Sequence, residues 1–259
     1  MLLDTFHIFL YCMIITAVIV FVALYFVEAG YGIFQSKKWG ISINNKSGWF
    51  LMEFPVFVTM FLFLVLCSNQ LTITRIVIFG LFQMHYLQRS FIFPLLIKGK
   101  GKIPLSIISM GIVFNLLNAI MQGYWLFFES YKFEVELYST GWLTSVPFIA
   151  GTTLFVAGFV INLHSDYIVR HLRKSPADTN HYLPTGGMFN YVTSANYFGE
   201  IIEWLGFAIL TFSLSGLVFF IWTCANLVPR AYSIHNKYRA TFEEDMSRKK
   251  LKALFPFLY

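Results

Sequence analysis

Asn196–Val228 reads NYFGEIIEWLGFAILTFSLSGLVFFIWTCANLV. An apolar helix needs about 20 residues to cross a bilayer, and this run is too long for one ordinary span. Near its middle, Ser213-Leu214-Ser215-Gly216 offers a turn, so the run divides into two helices in a tight hairpin. Working outward, apolar runs of spanning length recur at 8–27, 49–67, 72–97, 104–128 and 143–165. These predict an all-α polytopic membrane protein with seven transmembrane helices, in one integral-membrane domain covering residues 1–259.

Loop charges favour two helices in the last run. Lys37, Lys38 and Lys46 lie in the loop 28–48, Lys98, Lys100 and Lys102 in 98–102, and Arg170, Arg173 and Lys174 in 170–195. The loop 129–141 is acidic, with Glu129, Glu134 and Glu136 against Lys132. Because basic loops stay on the cytosolic side, the N-terminus is expected outside (lumenal) and the three basic loops in the cytosol. The tail carries Arg230, Lys237, Arg239, Arg248, Lys249, Lys250 and Lys252, so the C-terminus is expected in the cytosol too. That requires an even number of crossings after residue 195. Asp4 and the missing basic n-region make 8–27 a retained span rather than a signal peptide.

A composition of 57% apolar, 19% aromatic and 12% charged residues excludes an ordinary soluble domain. The net charge of +6 sits in loops and tail, where it reports topology and an anionic ligand or lipid surface rather than nucleic acid. Cys12, Cys67 and Cys224 each lie inside apolar runs, without disulfide or zinc spacing. No G-x-G-x-x-G follows a strand pattern and no G-x-S-x-G elbow occurs. His164, His171 and His181 form no metal set, so no metal is expected.

Against that oily background the polar residues are periodic. Asn162, Asp166, Arg170 and Arg173 recur at i, i+4, i+8 and i+11, and Asn196, Glu200, Glu203 and Trp204 at i, i+4, i+7 and i+8, each on one helix face. Ionisable groups at membrane depth are costly and by default mark a buried polar site. Glu53 near the start of the second span is either partly desolvated and protonated or an interfacial carboxylate facing headgroups. Tyr86 and Arg89 share a face of the third span. Asn115, Asn118 and Gln122, at i, i+3 and i+7, are either helix–helix glue or the lining of a polar cavity.

NLHSDYIVRHLRK (162–174), GGMFNYVTSANYFGEIIEW (186–204), WFLMEFP (49–55), MHYLQRSFIFP (84–94) and Phe255-Pro256-Phe257 closely resemble the steroid 5α-reductases, membrane enzymes that use NADPH. The resemblance runs from about Trp49 onward, and residues 1–48 match weakly. It implies NADPH as cofactor and, as substrate, a 3-oxo-Δ4-steroid entering from the bilayer, whose C4–C5 double bond is reduced. Tyr86 and Glu53 are implied to hold the substrate ketone. Arg89, Lys100, Asn162, Asp166, Arg170, Arg173, Tyr182, Asn196, Glu200, His235 and Tyr238 are the implied cofactor-side residues, and Trp49, Met52 and Trp204 the substrate contacts. The two arginines at the wet end of their helix suit phosphates, and the amide and acid deeper in suit the nicotinamide and ribose. All of these are expected to meet in one cavity sealed among the helices. Three positions depart from the family pattern: Met52 for a glutamine, Leu183 for a basic residue and Ile234 for the first of two histidines. Other readings are a reductase of a polyprenol-type or enoyl-thioester lipid, a membrane methyltransferase, and a lipid transporter or receptor, for which internal repeats are expected and none is evident. A monomer in the endoplasmic reticulum membrane, or in the inner membrane of a bacterium, is the expected setting.

Overall fold

The computed structural model describes residues 4–28, 30–67, 71–132, 137–173, 178 and 180–259. Glu134, Glu136, Lys174 and the Lys37 side chain, which entered the charge argument, lie outside the described residues. Among the described residues, five helices are long and apolar enough to cross a membrane: Thr5–Phe26, Asn45–Leu66, Leu105–Lys132, Val146–His171 and Leu214–Thr241. The chain is an integral membrane protein. Its contacts divide it into two compact units, one of residues 30–150 with 209–215, the other of 1–29, 151–208 and 216–259.

The first unit is organised by a small ribbon. Strands β1 (Ser42–Asn44) and β2 (Lys102–Pro104) pair antiparallel, Ile43 opposite Ile103. Neither has a readable alternation at three residues, so the sequence predicts no strand here. Each runs directly into a helix, β1 into α2 (Asn45–Leu66) and β2 into α5 (Leu105–Phe127). Asn44 caps α2 by accepting from the Lys46 N–H at 2.8 Å. The two helices pack in parallel, Gly48 facing Ile103 and Ile108, Gly111 facing Met52, and Gly123 facing Phe63.

The third apolar run is not one regular helix. It comprises α3 (Ile73–Leu87, 15 residues), a π turn (Gln88–Ile92) and α4 (Phe93–Leu96). Pro94 has no N–H to donate, and its ring crowds the carbonyl four residues back, at Ser90. Widening to i→i+5 bonds, such as Phe93 N–H to the Gln88 carbonyl, relieves that conflict, and such bulges concentrate at functional sites. At the start of α3, Arg75 is fully buried. It donates to the Leu126 carbonyl and to Ser130 Oγ, both at 3.2 Å, and stacks on the Tyr131 ring at 3.7 Å. Beside it Tyr138 donates to the Thr211 carbonyl at 2.7 Å and accepts from Trp125 Nε1 at 3.1 Å. Burial pushes the Tyr138 phenol up, against the Trp125 bond and the Arg75 charge, which pull it down.

In the second unit α1 (Thr5–Phe26) is tied to α8 (Leu214–Thr241) by Trp222 Nε1 donating to the Met13 carbonyl at 2.8 Å. Helices α6 (Val146–His171) and α7 (Ala195–Thr211) run antiparallel with their backbones in contact. A Cβ on Gly158 would lie 2.3 Å from the Glu203 nitrogen, and one on Gly206 2.3 Å from the Phe155 nitrogen. Such small-residue contacts replace hydrophobic driving force where the solvent is lipid. The predicted break in the last run is present: α7 ends at Thr211, Phe212 takes φ 45, and α8 starts at Leu214. After the short helix α9 (Glu243–Lys249), the final segment docks beside the start of α7, where Lys252 and Ala253 carbonyls accept from Thr193 and Ser194 N–H at 2.9 and 3.2 Å.

Candidate active site

The first unit holds Glu53 and Tyr86 on different helices, and α5 reaches both. Asn115 Nδ2 donates to the Met52 carbonyl at 2.7 Å and to Glu53 Oε2 at 3.1 Å. One turn on, Asn118 Nδ2 donates to the Tyr86 hydroxyl at 3.0 Å. A further turn on, Gln122 Nε2 donates to Asn118 Oδ1 at 3.4 Å and to the Ser215 carbonyl at 2.9 Å. Of the two readings left open for this stripe, these bonds carry the first: the three amides tie α5 to α2, α3 and the start of α8. Tyr86, Asn118 and Gln122 are at most 4% exposed, and Glu53 is half-buried. In such apolar surroundings hydrogen bonds are strengthened and their loss is costly.

Around them the wall is aromatic. Phe82 lies 4.7 Å from the Tyr86 ring, and Phe91 meets Phe50, Phe54 and Phe57 edge-on at 5.2–5.9 Å. Arg89 lies over Trp49 at 4.9 Å and Phe93 at 4.6 Å. Met52 is buried against Ile103, Ile107 and Ile108. Its side chain fills the space above Gly111, where the family pattern has a polar amide of similar length. Lys100 is exposed in the loop before β2.

The second unit carries the other set. Asn162 is 2% exposed and Asp166 6%, with Arg170 half-buried. Arg173 is exposed and lies past the end of α6 at His171, not on its face as the i+11 spacing predicts. Asn162 Nδ2 donates to the Asn196 carbonyl at 3.0 Å, so the two polar faces meet where α6 and α7 touch. Glu200 is half-buried and Glu203 fully buried. Arg173 Nε donates to the Asn180 carbonyl at 3.3 Å, and Tyr182, exposed, donates to Asp178 Oδ2 at 2.9 Å. Gly186 and Gly187 both have positive φ, 96 and 51, and a Cβ on Gly187 would strike the His164 ring at 2.7 Å. That loop can be made only by glycine.

Trp204 is buried in an aromatic nest, 4.3 Å from Phe219 and 5.6 Å from Phe207. In the tail, His235 Nδ1 lies 3.3 Å from Thr193 Oγ1. It lines, with Arg239, Glu243 and Ser247, an open cavity of about 560 Å³. Tyr238 is half-buried beside Phe242, 6.0 Å away. Arg170 Nη1 is buried without a hydrogen-bond partner. Sequence reasoning passed over Arg75; its signal was an arginine inside an apolar run, beside the capping Thr72.

Residues 101–259 match the family described as 3-oxo-5-alpha-steroid 4-dehydrogenase. The chain is 36% identical over 247 residues to 3-oxo-5-alpha-steroid 4-dehydrogenase 1 of Mus musculus, covering 93% of this chain and 92% of that protein. It is 38% identical over 241 residues to 3-oxo-5-alpha-steroid 4-dehydrogenase 2 of Sus scrofa, covering 92% and 91%. To steroid 5-alpha-reductase DET2 of Arabidopsis thaliana it is 35% identical over 244 residues, covering 92% and 90%. With nearly its whole length aligned to animal and plant proteins alike, the chain belongs to the steroid 5-alpha-reductase family of oxidoreductases.

Proposed function

We propose that this protein reduces the C4–C5 double bond of 3-oxo-Δ4-steroids with NADPH. The observation that carries the reading is the pairing of Tyr86 and Glu53 with amide donors from adjacent turns of α5. NADPH, held by the cofactor-side residues, would supply the hydride that C5, the β carbon of the enone, accepts. Electron density then moves onto the ketone oxygen, where Tyr86 and a protonated Glu53 donate hydrogen bonds in a dry, aromatic surrounding. One such donor is worth about 3–4 kcal/mol of barrier. A proton added at C4 restores the ketone and balances the reduction. Trp49 and Met52 are proposed as apolar contacts of the steroid, and Trp204 as a further one.

The chemistry of the α6 donors fits a dinucleotide. A half-buried guanidinium whose Nη1 lacks an acceptor suits a phosphate, which offers several oxygens to a forked donor. Arg170 and Arg173 are assigned to phosphate groups. Asn162, Asp166, Asn196 and Glu200 are assigned to the nicotinamide and ribose, with Arg89, Lys100, Tyr182, His235 and Tyr238 as further cofactor contacts. The membrane topology proposed is seven crossings with the N-terminus outside and the tail cytosolic, the run 73–96 and the 17-residue α7 making up the two spans that are short as single helices. At 1.5 Å per residue α7 reaches roughly 25 Å, close to the hydrocarbon thickness.

Purified protein in detergent, given NADPH and a panel of 3-oxo-Δ4-steroids, is expected to consume NADPH and yield the 5α-dihydro product by mass spectrometry. Turnover of an enoyl-thioester or polyprenol lipid with none on any steroid would overturn the proposal. Replacing Arg170 by Met should weaken NADPH by about tenfold or more, the worth of a charge-assisted hydrogen bond, and NADH by less. Equal losses would assign Arg170 to the bridging phosphates that both cofactors carry rather than to the 2′-phosphate that only NADPH has.

A further inference from the structure

Which atom of Asn118 faces Tyr86 is decided two residues away. The Ser215 carbonyl can only accept, so the Gln122 atom 2.9 Å from it is Nε2. The same nitrogen lies 3.4 Å from Asn118, which therefore turns Oδ1 towards Gln122 and Nδ2 towards Tyr86. An amide N–H has nothing to accept with. In that bond the tyrosine oxygen is the acceptor, and its own hydrogen is directed away from Asn118.

We infer that Ser215, Gln122 and Asn118 form a one-way amide relay that holds the Tyr86 phenol as a hydrogen-bond donor towards substrate. Asn118 and Gln122 are positioning residues, acting through Tyr86. The inference rests on the reading of Tyr86 as a donor to the ketone and extends it by naming what sets the direction of its proton. Burial makes the setting firm: Asn118 is 0% and Gln122 4% exposed, so water cannot take over either end. A side chain of the same shape but opposite polarity would reverse the bond. A carboxylate at 118 would accept the phenol hydrogen and withdraw it from the ketone.

Asn118→Asp, Tyr86→Phe and the double variant should be compared in steady-state turnover of a 3-oxo-Δ4-steroid. Asn118→Asp is expected to lower kcat about as far as Tyr86→Phe, on the order of 10²-fold, with KM for steroid and NADPH within about threefold. The double variant should be no slower than Tyr86→Phe alone, because the relay acts only through that hydroxyl. Activity of Asn118→Asp should rise as pH falls, since the introduced carboxyl, once protonated, donates again. If Asn118→Asp does not fold, Gln122→Met serves in its place. It frees the Asn118 amide to rotate and should cost roughly tenfold in kcat, a loss absent in the Tyr86→Phe background. A near-parental kcat for whichever variant folds, or losses that multiply with Tyr86→Phe, would overturn the relay. Full activity of Tyr86→Phe alone would instead overturn the ketone reading, and the relay with it.

Discussion

Tyr86→Phe is expected to lower kcat by about 10²- to 10³-fold while leaving NADPH affinity within about threefold, the pattern of a contact realised only as charge develops on substrate. The phenyl ring keeps its place 4.7 Å from Phe82, so apolar packing is retained and only the hydroxyl is lost. Glu53→Leu should act similarly, because it removes the second donor and leaves Asn115 Nδ2 with the Met52 carbonyl alone among the two acceptors it now has. Both variants also strip a buried amide of an acceptor, which costs about 1–3 kcal/mol of stability. Thermal unfolding in detergent has to be followed alongside turnover, at a temperature where each variant remains folded. If Tyr86→Phe and Glu53→Leu both turn over steroid at the parental rate while folded, neither residue holds the ketone. A fall in NADPH binding equal to the fall in kcat would place them on the cofactor instead.

Much of this was legible because lipid imposes simple rules. The long apolar runs became helices, and the hairpin turn in the last run fell at Phe212 and Ser213, overlapping only the first residue of the tetrapeptide that announced it, whose other three residues open α8. Periodicity drew the polar faces of α6 and α7 as far as Arg170, since a helix fixes which residues share a side, but it carried the α6 face on to Arg173, which lies beyond the helix end at His171. What periodicity cannot state is what lies opposite. Asn115, Asn118 and Gln122 were a stripe without a partner until Glu53, Tyr86 and the Ser215 carbonyl were placed against it. The β1–β2 ribbon was too short to have a period at all, and its pairing depends on residues about sixty positions apart in the chain. The π turn before Pro94 was hidden for another reason: proline warns of a disturbed helix but does not say whether it kinks, stops or widens. Gly158, Gly199 and Gly206 gave no sign of their importance, because a glycine in an apolar run reads the same whether it faces lipid or another backbone.

That last ambiguity yields the sharpest stability test. Gly158→Ala and Gly199→Ala should each destabilise the protein, whereas Gly80→Ala should stabilise it. All three glycines lie inside helices, where alanine is intrinsically favoured by about 0.5–1 kcal/mol. At Gly80 a Cβ meets nothing within 4 Å, so that preference stands. At Gly158 it would sit 2.3 Å from the Glu203 nitrogen and 2.5 Å from the Gly199 oxygen, and at Gly199 2.5 Å from the Asn162 nitrogen. These are backbone atoms, with no side chain to swing aside, so α6 and α7 must move apart. Overpacking of a tight interface costs about 1–3 kcal/mol, which exceeds the propensity gain and reverses its sign. Separation also stretches the 3.0 Å bond from Asn162 to the Asn196 carbonyl, the point at which the two proposed cofactor faces meet. Gly199→Ala is therefore expected to weaken NADPH by roughly tenfold or more even in the folded fraction, one hydrogen-bonded contact being worth about that much. Gly80→Ala should leave NADPH binding unchanged. Unfolding temperatures that rise for all three variants would mean that α6 and α7 do not touch through their glycines.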